Sequence, residues 1–465
     1  MALSVVVMMN AGRALAVPWT FPILHHPANG TLMDYAISED QRYAHLVAFS
    51  SNATNIVGGA GGAHYTIFVT ERAGRFGNEG SIWKPGHTSA PVRGFRGRQP
   101  NGDVFAPALG GGVFSNGSCM GFISDATNLV HGAPAHIAEG YVEDLGTRAI
   151  RMVSVNSRGV PANGAVTSLA VDGQCARVAF TSTATNLTDG ARELPSGHAP
   201  GGVSEVYVHI VDTNGFPDSQ ANRGHVGDTF LASANRAGDP SNGDCADVRM
   251  ATWGGDLSYS CSASNLDAHT SLESNVYTTQ IAPGGGSPYF RPLGTLIRST
   301  RLVSVNRRGH EGNGASDHAV IDAYGEYVTY RTAASNLAAG ANGVPSIVRA
   351  DITTRPITQL WISHPFKRRG PANGPSDNPT TDYHSAMVFF DSAASNIVNP
   401  GRADNNNAPD IFLWTSAGDF VRLRSRPCDL CAQLPGSSTQ PVTSWLANYT
   451  LFDYDGQLWM RYIPK

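Results

Sequence analysis

The chain has 465 residues, of which 51 are glycine and 28 proline, with only 15% charged and a formal net charge of −4. That balance excludes a long-helix protein and a basic nucleic-acid binder, and it suits many short strands joined by turns. No apolar stretch approaches the roughly 20 residues of a membrane-spanning helix, so no membrane span is expected.

The N-terminus reads "MALSVVVMMNAGRALAVPW", an apolar run followed by the small-x-small triplet Ala14-Leu15-Ala16. The triplet resembles a signal-peptidase site, so residues 1–16 are expected as a leader and 17–465 as one domain, secreted or periplasmic. The six cysteines have no zinc spacing, since Cys428-x-x-Cys431 lacks a second such pair. In an exported chain they read as disulfides.

From the first turn onward the sequence repeats. An Asn-Gly pair recurs at Asn29-Gly30, Asn101-Gly102, Asn163-Gly164, Asn242-Gly243, Asn313-Gly314 and Asn373-Gly374, and Pro435-Gly436 is a seventh equivalent. Separations of 72, 62, 79, 71, 60 and 62 residues define a unit of about 60 with insertions. Sixteen residues after the glycine comes an aromatic in five units: Phe180, Tyr259, Tyr330, Phe390 and Phe452. Six residues beyond the aromatic, in six units, stands an asparagine: Asn55, Asn128, Asn186, Asn265, Asn336 and Asn396. It is the third residue of an Ala-Thr/Ser-Asn-Leu/Ile motif.

β-prone runs surround the aromatic ("ARVAFTS", "EYVTYRT", "AMVFFDS"), a third run follows the motif ("EVYVHIV", "DIFLWTS"), and a fourth follows in most units ("RMVSVNS", "RLVSVNR"). Four antiparallel strands repeated seven times predict a seven-bladed β-propeller. The aromatic is expected at the blade interface. The asparagine is expected to adopt a left-handed conformation and to bond the turn backbone, a structural role. The last unit ends in "DYDGQLWMRYIPK", one strand short, so the segment near residues 17–25 is expected to supply its outer strand.

The stretch "LVSVNRRGHEGNGASDHAVIDAYGEYVTYRTAASNL" (302–337) resembles the TolB-type, WD-like (PD40-like) propeller repeats. That resemblance covers residues 17–465 and implies the fold. It is far less specific about activity, because such propellers include protein-binding scaffolds, domains beside peptidases and some sugar lyases. The family's Asp-Gly turn survives only at Asp172-Gly173 and loosely at Asn116-Gly117, and nothing reads as a Gly-x-Ser-x-Gly elbow.

Candidate sites follow from register. The fourth residue after each glycine is Asp34, Ala106, Ser168, Asp247, His318, Asn378 and Gln440, polar in six of seven units. In a propeller, equivalent positions form a ring, so these groups are expected near one mouth of the central channel, which is either water-filled or a binding site. For catalysis the best constellation is His318 with Asp247 and Arg249, a base and a neutraliser for a uronate carboxylate. The acidic loop "GRADNNNAPDIF" offers Asp404, Asn406 and Asp410 as a Ca²⁺ candidate or a plain surface loop. Cys245 and Cys261 fall at facing positions of one hairpin and are expected to pair; Cys428 and Cys431 could close a small loop, and Cys119 and Cys175 stay unassigned. The two function classes left open are a non-catalytic propeller binding a protein or glycan, with loops 74–100, 188–204 and 212–240 as surface, and a polysaccharide lyase or hydrolase acting at the channel mouth.

Overall fold

The structure is a computed structural model that describes residues 19–24, 26–40, 44–73, 83–110, 119–173, 175–188, 202–211, 227–253, 255–267, 273–281, 299–338, 341–368, 372–398, 404–428 and 431–463. The leader expected at 1–16, the Asn116-Gly117 turn and parts of the loops at 74–100, 188–204 and 212–240 lie outside these residues.

Seven four-stranded antiparallel sheets make a seven-bladed propeller. The innermost strands are Leu32–Ile37, Val104–Leu109, Val166–Val171, Cys245–Met250, Ser316–Ile321, Ser376–Thr381 and Ser438–Thr443, numbered here as blades 1 to 7. They touch in sequence around the axis, and blade 1 meets blade 7 to close the ring. Second strands such as Cys119–Ser124 and Arg177–Ser182 are buried at every residue, because both faces of a blade are covered by its neighbours. Their aromatics stack on an aromatic of the third strand, as Phe49 on Phe68, Phe122 on Tyr141 and Phe180 on Tyr207. Core clusters then run across blade boundaries; one joins Phe452 of blade 7 to Phe389, Ile411 and Leu413 of blade 6.

The missing strand of blade 7 comes from the N-terminal segment. Trp19–Pro22 pairs antiparallel with Gln457–Tyr462, in the order 19–22, 457–462, 449–454, 438–443. Burial of Arg461 seals the joint, its Nη1 donating to Thr20 Oγ1 at 3.0 Å and to the Arg426 carbonyl at 2.7 Å.

The repeated asparagine does not adopt a left-handed backbone in any of its six copies. It works at longer range. Asn186 Oδ1 accepts from the backbone N–H of Asn163 at 3.0 Å, and its Nδ2 donates to the Pro161 carbonyl at 2.8 Å. Asn163 answers through Oδ1, which accepts from Thr185 N–H at 2.8 Å, and through Nδ2, which donates to Thr185 Oγ1 at 2.9 Å. The same lock ties Asn55 to Asn29, Asn128 to Asn101, Asn265 to Asn242, Asn336 to Asn313 and Asn396 to Asn373. It clamps the entry of the innermost strand onto the exit of the second.

Fourth strands are shorter than the sequence suggests. In blade 2 the strand is Ile150–Met152, and Ser154 leaves it to accept from Gly140 N–H at 2.8 Å while donating to buried Glu139. Ser233 with Glu205 and Ser304 with Asn275 repeat this arrangement. Three disulfides are present: Cys245–Cys261 across one hairpin of blade 4, Cys119–Cys175 between blades 2 and 3, and Cys428–Cys431.

Candidate functional site

Each innermost strand carries a register shift, a β-bulge, between its first and fifth residues. The seven register-defined residues sit at these bulges, and five have positive φ: Ala106 (52°), Asp247 (55°), His318 (48°), Asn378 (47°) and Gln440 (54°). A bulge re-aims its side chain, and left-handed backbone favours Asn, Asp and His over β-branched residues. Polarity at these positions thus has a local cause. All seven residues, with Arg249, line one axial cavity of about 510 Å³.

Much of the ring stitches blade to blade. Asp34 Oδ2 accepts from Ala106 N–H at 3.2 Å, Ser168 Oγ from Val248 N–H at 3.3 Å, and Asp391 Oδ2 from both Gln440 N–H at 2.7 Å and Asn378 Nδ2 at 2.8 Å. Burial raises the Asp34 carboxyl, opposed by the Ala106 N–H and by Arg249, and it raises Asp391 to about 6.

The constellation expected at His318 is arranged differently. Its Nδ1 pairs at 2.7 Å with Asp377 Oδ1 of the next blade, not with Asp247 or Arg249. This hydrogen bond raises the imidazole above its ordinary value, although partial burial works against it. Arg331 is fully engaged, with Nε and Nη2 on Asp317 at 2.7 and 2.6 Å and Nη1 on Asp377 at 2.7 Å. Arg249 Nη1 donates to the Val248 carbonyl at 3.0 Å. Around the ring, Asp34, Asp247, Asp317, Asp377 and Asp391 outnumber Arg249, Arg331 and His318. Sequence register found the ring but missed Asp377, Arg331 and Asp391, whose places depend on blade-to-blade contact.

The opposite end of the cavity is narrow. Glu39 reaches from blade 1 to Thr252 Oγ1 of blade 4, which donates to its carboxylate at 2.5 Å, and burial raises the Glu39 carboxyl. Backbone bonds link neighbouring turns there, Ala323 N–H to the Tyr383 carbonyl and Tyr383 N–H to the Trp445 carbonyl. Tyr383 and Trp445 stack at 5.3 Å, and Trp253 meets Trp445 edge-on at 5.8 Å.

The acidic loop holds its own donors. Gln433 Nε2 bridges Asp404 Oδ1 at 2.9 Å and Asp410 Oδ2 at 2.8 Å, and Ser425 donates to Asp410. Asn406 Oδ1 accepts from Ala408 N–H at 3.0 Å and its Nδ2 faces the Leu434 carbonyl. With an amide between the two carboxylates, the residues do not fit a Ca²⁺ shell of six to eight oxygens.

No family model and no curated protein matches the sequence. Among solved structures, the chain resembles oligogalacturonate lyase in complex with manganese at 10% identity and TM-score 0.51, over 96% of this chain and 93% of that one. It resembles prolyl oligopeptidase B from Galerina marginata at 8% identity and TM-score 0.50, over 91% of this chain and 47% of that one. TolB from Acinetobacter baumannii aligns at 11% identity and TM-score 0.39, this chain spanning 65% of its length. What the chain shares with the first two is the propeller fold.

Proposed function

We propose that this is a non-catalytic binding propeller of an oxidising, extracytoplasmic compartment, whose ring mouth receives a polar or basic segment of a protein partner. The observation that carries the reading is the electrostatics of the ring. Its carboxylates outnumber its cations, and Arg331 and His318 are already committed to Asp317 and Asp377. A uronate lyase needs the reverse, a surplus of cations facing the substrate carboxylate, whereas here Arg249 stands beside Asp34. The side chains of Asp247 and Gln440 make no hydrogen bond within the protein among the described residues, so they can take a donor or acceptor from outside. Three disulfides suit an oxidising compartment.

The test is binding of the purified chain to arrays of basic, neutral and acidic peptides and of glycans, alongside Asp247→Asn with Gln440→Ala. Selective capture of basic or amide-rich peptides, weakened in the double variant, is expected. Glycan-only capture, or unsaturated products released from uronic-acid polymers, would overturn the reading.

A further inference from the structure

At the narrow end of the cavity two hairpins of neighbouring blades bring three ligating side chains together. "DAYGE" turns between the first two strands of blade 5 and carries Asp322 and Glu326; "DYHS" does the same in blade 6 and carries His384. One ligand atom from each lies within 4.8 Å of the other two. His384 Nδ1 stands 3.4 Å from Glu326 Oε2 and 3.9 Å from Asp322 Oδ2. Both gaps are longer than the 2.7–2.9 Å of a charge-assisted hydrogen bond.

A second observation points to a ligand. Asp322 is 1% exposed, and its Oδ1 is satisfied by the N–H groups of Glu326 and Tyr327 at 2.7 and 3.1 Å. Among the described residues its Oδ2 is buried with no hydrogen-bond partner, and it faces the imidazole. A buried, unsatisfied carboxylate oxygen is costly unless something cationic meets it. Arg349, the nearby cation, donates to the Ser385 carbonyl at 2.6 Å and lies over the rings of Tyr327 and Trp414. The His384 ring is held by Tyr324 and Tyr327 edge-on and by Tyr383 stacked at 6.0 Å, which fixes where Nδ1 points.

We propose that Asp322, Glu326 and His384 form a site for a divalent transition-metal ion of the zinc class, with a coordination position open to solvent. Bonds of about 2.0–2.2 Å around a tetrahedral zinc set neighbouring ligands about 3.3–3.6 Å apart, close to the gaps observed. One imidazole with two carboxylates favours Zn²⁺ over Mn²⁺, and both over Ca²⁺, which takes oxygen alone. Glu326 and His384 are 41% and 48% exposed, leaving a path for the ion and for a fourth ligand. The sequence hides this site because its halves lie in different blades and form no His-x-x-x-His or Glu-flanked motif.

The experiment is calorimetric titration of chelator-stripped protein with Zn²⁺, Mn²⁺ and Ca²⁺ separately, with Co²⁺ absorption as a report on geometry. One zinc per chain, weaker manganese, no calcium and tetrahedral Co²⁺ bands are expected. His384→Ala and Glu326→Gln should each weaken zinc by about tenfold or more, since loss of an outer-shell partner alone costs about 10–100-fold. Both side chains are about half exposed, so the metal-free variants should melt with the wild type. His64→Ala, which removes an exposed imidazole 3.4 Å from Asp103 with no second carboxylate beside it among the described residues, should leave binding unchanged. Absence of stoichiometric zinc in the wild type, or undiminished binding in both ligand variants, would overturn the site and leave an ion pair only.

Discussion

The asparagine locks and the bulge ring occupy fixed register in the same repeats, yet they differ in what varies. The lock keeps one residue type in six copies and accepts from the paired Asn N–H in all six, with a second bond to an upstream carbonyl in five, as Asn186 to Asn163 and Pro161 and Asn336 to Asn313 and Glu311. At the ring, one position is Asp, Ala, Ser, Asp, His, Asn and Gln in turn. Identical residues in identical geometry solve a problem every blade shares, which is fastening two strands. Different residues at an equally fixed position share only the backbone kink that aims them, so their side chains are free to make one asymmetric surface. Stability should therefore live in the locks, the buried polar pairs and the closing strand, and selectivity in the ring.

The largest effect should come from breaking the closure. Deleting residues through 28 removes the Trp19–Pro22 strand, exposes the edge of Gln457–Tyr462 and strips Arg461 of its Thr20 partner. A fall in Tm of ten degrees or more by calorimetry is expected, with aggregation on heating. A truncated chain that melts with the wild type would mean the ring is held closed by blade contacts alone.

Next comes the pH dependence set by the buried carboxyls beneath the fourth-strand serines. Burial raises Glu139 and Glu205 to about 8, above an ordinary 4.5, with Ser154 and Ser233 hydrogen bonds opposing. Because the folded state holds these protons more tightly, their contribution is fully present below pH 4.5 and is lost as pH rises through about 8. His209, held down to about 4 by burial, works oppositely: its contribution is present above 6.5 and is lost as pH falls toward 4. Tm should thus peak near mildly acidic pH and drop by several degrees by pH 8.5. Glu139→Gln with Glu205→Gln should flatten the alkaline side; an unchanged slope would locate the protonation elsewhere.

A smaller loss is expected at a single lock. Asn186→Ala or Asn336→Ala removes two hydrogen bonds at the solvent-facing rim, about 1–3 kcal/mol in all, whereas Asp247→Asn should leave chemical-denaturation midpoints unmoved. Equal effects at the two positions would erase the contrast between lock and ring.

These positions also show how far the sequence could be read. Blade number, closure by the N-terminal segment and the channel-facing register were legible because each rests on a count that insertions between units do not disturb. Contacts beyond a residue's own strand were not. The motif predicts a left-handed backbone at Asn186, yet the residue stays right-handed or extended and its partners lie 23 and 25 residues upstream. The register matches His318 with Asp247 and Arg249, yet its partner is Asp377, 59 residues on. In both cases the repeat fixes where a side chain starts, and the packing of the neighbouring strand or blade decides what it meets.

The smallest effect, and the sharpest test of the ring's chemistry, is the titration of His318. The Asp377 hydrogen bond raises its imidazole above 6.5, and the charges of Asp247 and Asp317 add to the shift, while burial subtracts from it. A His318 signal followed by NMR across pH 5–9 should therefore titrate above the free-imidazole value, and Asp377→Asn should bring it down. The sign matters for function. The Asp377 carboxylate fixes the Nδ1 edge of the ring and favours its charged form, which suits a donor held at the mouth. If His318 titrated below 6.5, or did not respond to Asp377→Asn, the carboxylate would not be favouring the charged ring and the donor role at the mouth would fail.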